Sequence, residues 1–405
     1  MAAPASQPDQ SPGAPAPVAV VCHSVPPYRQ HLHRRIADEE PRVRLLTINT
    51  HHDATRNWQL PDAEKIGLVD LTGGDTMAAT RGLRGWWPEW KRGGRIIETL
   101  RREGVRAVVM NGYNDAGRRR AIRWCRKNQV PCFLWGDGNI ASERLKTGPA
   151  QALKKWLIPP IVRQVTGCFA CGRLGKELWQ SYGAPADRVF ISPYEPDYRL
   201  IQDLAEEQID AVRAKHGLQA NRRRLVFSGR LTQVKRVDLL IDAFVRLADV
   251  RPEWDLLLVG DGELRDELLA AVPERLKPRV TCTGFLSDQQ EVSTLYRASD
   301  VLVLPSTYEP WALVINEAAA AGLAMVATDV VGAAAELIVD GKNGRIVPAG
   351  DGEALREAIA DVTDPANTDR MKQASAEVLA DWRRRGDPVE GLREALRFVG
   401  VLPTS

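Results

Sequence analysis

Short apolar runs alternate with helical patterns twice over along this chain, which predicts an α/β protein of two Rossmann-like, doubly wound domains facing a central cleft. Three observations carry that reading. The strand-like runs are continuously apolar, as expected of parallel strands covered on both faces. The pattern restarts after a polar, Pro-rich stretch, SPYEPDY at 192–198. The halves also differ in charge: residues 1–200 hold 30 Lys and Arg against 19 Asp and Glu, and the rest hold 25 against 33.

In order, the first half predicts strands at VAVVC (18–22), VRLLTI (43–48), IGLVDL (66–71), VRAVVM (105–110), PCFLW (131–135), CFAC (168–171) and RVFIS (188–192). Helical patterns fall at 29–38, 91–103, 117–128, 150–165 and 174–182. The second half predicts strands at RLVFSG (224–229), WDLLLVG (254–260), RVTCTG (279–284), VLVLP (301–305), AMVATD (324–329) and GRIVP (344–348). Behind the first of these, Val237, Leu240, Ile241, Phe244 and Ala248 form an i, i+3, i+4, i+7 stripe, one helix face on a sheet. The segment 381–400 reads as two helices. The predicted organisation is a tail over 1–17, a first domain over 18–195, a second over 196–380 and a C-terminal helical segment over 381–405.

With 405 residues, 44% hydrophobic and 26% charged, the composition is that of a soluble globular protein of two or three domains. No run of about 18 apolar residues occurs, so no spanning helix is expected. The Ala/Pro/Ser/Gln-rich start lacks a basic n-region and an apolar h-region, so it reads as a disordered tail rather than a secretory signal. Six cysteines are present: Cys22, Cys125, Cys132, Cys168, Cys171 and Cys282. The C-x-x-C at 168–171 has no second ligand pair at suitable spacing, so buried reduced thiols are expected, and no metal site. The basic first half favours an anionic partner: nucleic acid, an anionic membrane face or a phosphorylated acceptor.

In an open parallel sheet, ligands bind beyond the carboxyl ends of the strands. In the second half those ends carry Gly229-Arg230, Gly260-Asp261-Gly262, Gly284-Phe285, Ser306 to Glu309, and Val331-Gly332. Glycines there let backbone amides approach a ligand closely, and also serve tight turns. Arg230 and Lys235 flank a helix start, where cations are unfavourable against the helix dipole; two cations there suit a diphosphate. EPWALVINEAAAAG (309–322) predicts a buried helix over Ala312 to Gly322 whose only polar residues are Asn316 and Glu317. A carboxylate in such a helix needs a partner. Were the segment helical throughout, Glu309 and Glu317 would lie roughly 12 Å apart along the axis. That exceeds the about 5–9.5 Å of paired carboxylates in glycoside hydrolysis, and suits two contacts along one extended ligand.

These residues resemble the nucleotide-sugar-binding half of retaining glycosyltransferases of family 4, the GT-B fold, also known as glycosyl transferases group 1. The pattern G-R-L-x-x-x-K, V-G-x-G and E-x7-E with A-x-x-x-G reads here as Gly229, Arg230, Leu231 and Lys235; Val259, Gly260 and Gly262; Glu309 and Glu317; Ala318 and Gly322. The resemblance covers residues 220–400. It implies transfer of a hexosyl-type sugar from a nucleoside-diphosphate sugar to an unidentified carbohydrate, lipid-linked or small-molecule acceptor. By the resemblance, Arg230 and Lys235 bind the diphosphate and stabilise the departing charge. Glu309 contacts the sugar near the reacting carbon, and Glu317 binds the ribose hydroxyls. Gly229, Trp311, Ala312 and Leu313 line the donor site; Gly284, Phe285 and Leu286 border the base. No cofactor and no metal is implied, since Arg, Lys and helix amides do the charge work.

The chain departs from the family pattern in places. Trp311-Ala312 stands where Phe-Gly is frequent, and a methyl at 312 is expected to leave room for amide approach. HSVPPYRQ (23–30) replaces the glycine-rich loop after the first strand. The mid-domain histidine has no counterpart, and WGDGN (135–139) occupies that strand end. Tyr28, Arg29, Asp137 and Asn139 are therefore the acceptor-side candidates. Trp86, Trp87 and Trp90, beside basic residues, have three roles open: stacking on an acceptor sugar, entering a membrane interface, or core packing. A cytoplasmic protein is expected, with peripheral contact to the inner membrane face as an option. The fold also implies a last helix returning to the first domain, with hinges near 195 and 380.

The alternative activity is that of a sugar-nucleotide epimerase of similar fold, against which G-R-L-x-x-x-K with E-x7-E favours transfer. A phosphorylase needs a cofactor-binding lysine and far greater length. A nucleic-acid-binding protein would have to use cations scattered on predicted helices with no recognised binding motif, so no nucleic acid is expected. A dinucleotide oxidoreductase needs G-x-G-x-x-G after a first strand, which neither half has.

Overall fold

The computed structural model describes residues 14–51, 62–73, 86–146 and 148–404. The expected tail lies outside the described residues up to position 13, and its last two positions are not tail. Ala16 and Pro17 already belong to β1 (Ala16–Cys22).

The first domain continues with α1 (Pro27–Glu39), β2 (Val43–Asn49), β3 (Leu68–Asp70), α2 (Trp86–Arg102), β4 (Ala107–Asn111), α3 (Ala116–Lys127) and β5 (Cys132–Gly136). Then follow α4 (Ile140–Arg144), α5 (Pro149–Leu157), α6 (Pro159–Val162), β6 (Gly167–Ala170), α7 (Arg173–Ser181) and β7 (Val189–Ile191). Its strands pair in parallel in the order β3-β2-β1-β4-β5-β6-β7.

After α8 (Arg199–Gln202) and α9 (Glu206–Lys215) come β8 (Arg223–Ser228), α10 (Val237–Val250), β9 (Trp254–Val259), α11 (Arg265–Ala270), β10 (Val280–Gly284), α12 (Gln289–Arg297) and β11 (Val301–Leu304). The rest is α13 (Leu313–Ala321), β12 (Ala324–Thr328), α14 (Ala334–Leu337), β13 (Gly344–Val347), α15 (Gly352–Val362), α16 (Pro365–Arg385) and α17 (Pro388–Phe398). These strands are parallel too, ordered β10-β9-β8-β11-β12-β13. Each sheet reverses its order once, between β1 and β4 and between β8 and β11. Those are the switch points where open parallel sheets hold ligands.

β11 and β12 are buried along their whole length, which is why their sequences are unbroken apolar runs. One apolar cluster runs from Val18 and Phe133 through Tyr194 and Tyr198 to Val303, Trp311 and Leu396, so the core is continuous across both domains.

Two local expectations are corrected. The pattern over 150–165 is not one helix: α5 ends and α6 begins at Pro159, whose missing N–H is tolerated only in a first turn. The helix expected from Ala312 begins at Leu313, because Ala312 has left-handed backbone, φ 73° and ψ 80°.

The C-terminal helix crosses back to the first domain. Asp387 caps α17, its carboxylate accepting from the amides of Val389 and Glu390, both at 2.9 Å. Gly391 lies so close to β7 that a Cβ there would sit 1.9 Å from the Ile191 carbonyl oxygen. Arg35 of α1 donates to Asp387 at 2.7 Å, and Arg393 donates to Glu40 at 2.9 Å.

Candidate functional site

The site begins where β8 ends. Gly229 and Arg230 leave the strand, Leu231 is buried, and a short 3-10 turn, Gln233–Lys235, precedes α10. The neighbouring glycines have a packing role. A Cβ on Gly260 would lie 2.0 Å from the Gly229 carbonyl oxygen, and one on Gly262 2.3 Å from that of Leu231. They seat the β9 loop against the β8 loop, with the Leu231 amide donating to the Asp261 carbonyl at 2.9 Å. Arg230 is exposed and has no hydrogen-bond or ion-pair partner among the described residues. Lys235 is paired: its ammonium donates to the Glu309 carboxylate.

Glu309 lies in the loop between β11 and α13. The intervening Ala312 is not helical, so the two glutamates do not share one helix, and the 12 Å axial estimate does not apply. The backbone of this loop is gripped from the other domain. Asn139 Nδ2 donates to the carbonyls of Glu309 (2.9 Å), Pro310 (2.7 Å) and Val330 (3.1 Å). Ser142 Oγ accepts from the Glu309 amide at 3.2 Å and donates to the Val330 carbonyl at 2.9 Å. Asn139 also caps α4, its Oδ1 accepting from the Ser142 amide at 2.7 Å. Its amide is thus engaged at both ends, and the acceptor-contact expectation for Asn139 is replaced by an interdomain clasp. The expectation for the Trp311 side chain is corrected too. It is 4% exposed, its indole N–H donates to the Tyr194 carbonyl at 3.0 Å, and its ring lies 6.0 Å from that of Trp382.

Glu317 sits on α13, with Gln289 Nε2 and Tyr296 Oη both donating to its carboxyl at 3.1 Å. Burial pushes its pKa up to about 7, against the pull of those two donors. It lines a cavity of about 300 Å³ together with Pro27, Tyr28, His31, Arg34 and Leu313, so α1 of the first domain faces α13 across it. Gly284 ends β10 in left-handed backbone, φ 71°, followed by Phe285, which is 57% exposed, and by half-buried Leu286.

A second cavity, of about 390 Å³, shares Tyr28 with the first and is lined also by Asn111, Trp135, Asp137, Trp179 and, from the second domain, Tyr308. Asp137 follows β5 and faces this space, and desolvation by the surrounding protein raises its pKa. Arg29 also lines this cavity, from a mostly buried position. It is 5% exposed, donates to the Tyr194 hydroxyl at 3.1 Å and lies 5.5 Å over the Trp135 ring. A polar network at the neighbouring strand ends went unforeseen. His51 Nε2 meets Glu89 at 2.9 Å, Arg92 donates to Glu89 at 2.5 Å, and Arg118 donates to Asp115 at 2.6 Å and to Thr50 at 2.9 Å. Arg92–Glu89 and Arg118–Asp115 are i, i+3 pairs, but His51–Glu89 and Arg118–Thr50 span 38 and 68 residues and leave no local signal. Asn139 did leave one, since an Asn three residues before Ser142 at a helix start reads as a cap. Trp86 and Trp87 are 51% and 57% exposed, so core packing does not account for them.

Residues 208–378 match the family of glycosyl transferases group 1. An uncharacterized glycosyltransferase of Methanocaldococcus jannaschii is 31% identical over 215 residues, 52% of this chain and 49% of that one. The alpha-D-kanosaminyltransferase of Streptomyces kanamyceticus is 28% identical over 246 residues, 59% of this chain and 63% of its own. This chain spans about half the length of the curated relatives it matches. Among solved structures, Anabaena HepE in complex with UDP and glucose superposes with a TM-score of 0.72 at 18% identity, covering 96% of this chain and all of that one. That likeness fixes the fold: two Rossmann-like domains in the GT-B arrangement.

Proposed function

We propose that this chain, whose residues 208–378 carry a glycosyl transferases group 1 segment, moves a hexosyl-type sugar from a nucleoside-diphosphate sugar to a hydroxyl-bearing acceptor with retention at the anomeric carbon. The observation that carries the reading is a gathering of charge around one sheet edge: Arg230, unpaired among the described residues, the Lys235–Glu309 pair, and buried Glu317 beside a cavity. The diphosphate takes Arg230 as a bidentate donor and competes with Glu309 for the Lys235 ammonium. The freed carboxylate then faces the donor sugar, where positive charge develops. Glu317 accepts from the ribose hydroxyls in its ionised form. The bond from the anomeric carbon to the phosphate oxygen breaks, and a bond to the acceptor oxygen forms on the same face. The acceptor proton passes to the departing phosphate, giving a glycoside and a nucleoside diphosphate. Arg230 and Lys235 stabilise the charge on that leaving group, the task a divalent cation performs elsewhere.

On the acceptor side, the cavity over Asp137 and Tyr28 receives the hydroxyl-bearing substrate. Its aromatic walls and the Asp137 carboxyl suit a sugar-like ring. A screen of UDP-, GDP- and ADP-hexoses, read by nucleoside diphosphate release and product anomeric configuration, tests this. Arg230→Ala should slow turnover by about 10²-fold. No release from any donor, or an inverted product, overturns the reading.

A further inference from the structure

The first domain carries a surface that the transfer reaction does not use. Trp86, Trp87 and Trp90 open α2 as an indole stack, with ring centroids 6.2 Å apart for Trp86–Trp87 and 5.4 Å for Trp86–Trp90. The Lys91 ammonium lies 5.6 Å over Trp87. Arg120 of α3 lies 4.6 Å over Trp90 and donates to its carbonyl at 2.7 Å, which ties the stack to α3. On the adjoining face of α3, Arg119 and Arg123 line a groove with Trp156 and Leu157 of α5. On α5 itself, Leu153 is 56% exposed, Trp156 80% and Leu157 47%. The patch is thus contiguous over three helices and mixes large apolar side chains with cations.

Its charge is one-sided. Neither α3 nor α5 contains an Asp or Glu; Arg118 of α3 is buried against Asp115 and Lys154 of α5 pairs with Glu143, while Arg123, Arg126 and Lys127 of α3 and Lys155 of α5 are exposed. Among the described residues no helix is long and apolar enough to cross a membrane. From these observations we propose that this face docks on an anionic lipid surface, with Trp87, Leu153, Trp156 and Leu157 entering the headgroup boundary and Lys91, Arg119, Arg123 and Lys155 meeting lipid phosphates. A second copy of the same face would bring cation against cation. Single-stranded nucleic acid would use the indoles and cations but leave the two leucines in water. The inference is independent of the transferase reading, because lipid binding needs no turnover.

The test sediments the full chain with phosphatidylcholine vesicles, with and without phosphatidylglycerol. Pelleting only with the anionic vesicles, a blue shift of tryptophan emission and loss of binding at high salt are expected. Trp156→Ser combined with Leu153→Ser, and separately Arg123→Glu combined with Lys155→Glu, should each lower partitioning at least tenfold while far-UV circular dichroism stays unchanged. A wild-type chain that stays in the supernatant, pelleting indifferent to both double variants, a salt-dependent dimer broken by either variant, or displacement by oligo-dT would each overturn the proposal.

Discussion

Glu317 is a carboxyl group held away from water, and its proton is lost near neutrality rather than in acid. The ordinary value is 4.5 and the folded value about 7. Between those pH values the folded protein keeps the proton and the unfolded chain does not. Stability therefore falls as pH rises through that window, by about 3 kcal/mol, and levels off above it. Glu317→Gln should flatten that slope in urea titrations across pH 4 to 8. If ribose hydroxyls bind the ionised form, nucleoside diphosphate binding should weaken up to about tenfold per pH unit below 7 and be flat above, a trend calorimetry can follow. Five positions before Glu317, Ala312 holds φ 73°, where an alanine is strained by about 1–2 kcal/mol. Ala312→Gly should raise stability by about 1 kcal/mol in chemical denaturation, part of the relief being offset by glycine's greater chain entropy. The motif residues were legible because their types and spacings are local: Arg230, Lys235 and Glu309 follow β8 and β11, and Glu317 lies on a buried helix, as read from the sequence. The strain at 312 was not, since only the backbone angle distinguishes a tolerated methyl from a costly one.

At the scale of elements, the strands were readable because burial on both faces leaves an unbroken apolar run, and every predicted strand is present within a few residues. Helix ends were less so. Pro159 divides a stretch whose periodicity reads through it, and Gly386 and Asp387 mark the break before α17 only once the cap is seen. The contacts that join elements across sequence were invisible: Asn139 to the Glu309 loop spans 170 residues, and Tyr296 to Glu317 spans 21. The docking of α17 depends on the bare Cα of Gly391. Gly391→Ala should push the helix off β7 and cost about 1–3 kcal/mol, since the added methyl meets backbone that cannot rotate away. Thermal melts should show it directly, and limited proteolysis should find a new cut near Gly386.

The whole molecule divides its electrostatics between a basic first half and an acidic second half, with the proposed anion site set in the acidic one. There the cations that matter are few, and they stand at the cleft. Should Arg230 and Lys235 do the work of a divalent cation, turnover should survive excess EDTA with little loss. Abolition by EDTA and rescue by Mn²⁺ or Mg²⁺ would contradict that division of labour. The return of α17 has a consequence in time as well as in space. The first domain's last strand, β7, ends at Ile191, yet the helix that covers it begins at Pro388. A ribosome adding about 5–20 residues per second needs roughly 10–40 s to make the intervening chain. For that interval the emerging first domain lacks one wall, and it is finished only after the second has been synthesised. Translation order and assembly order therefore run in opposite directions here, and a nascent chain stalled before Pro388 should be cut by protease at β7 while the released protein is not.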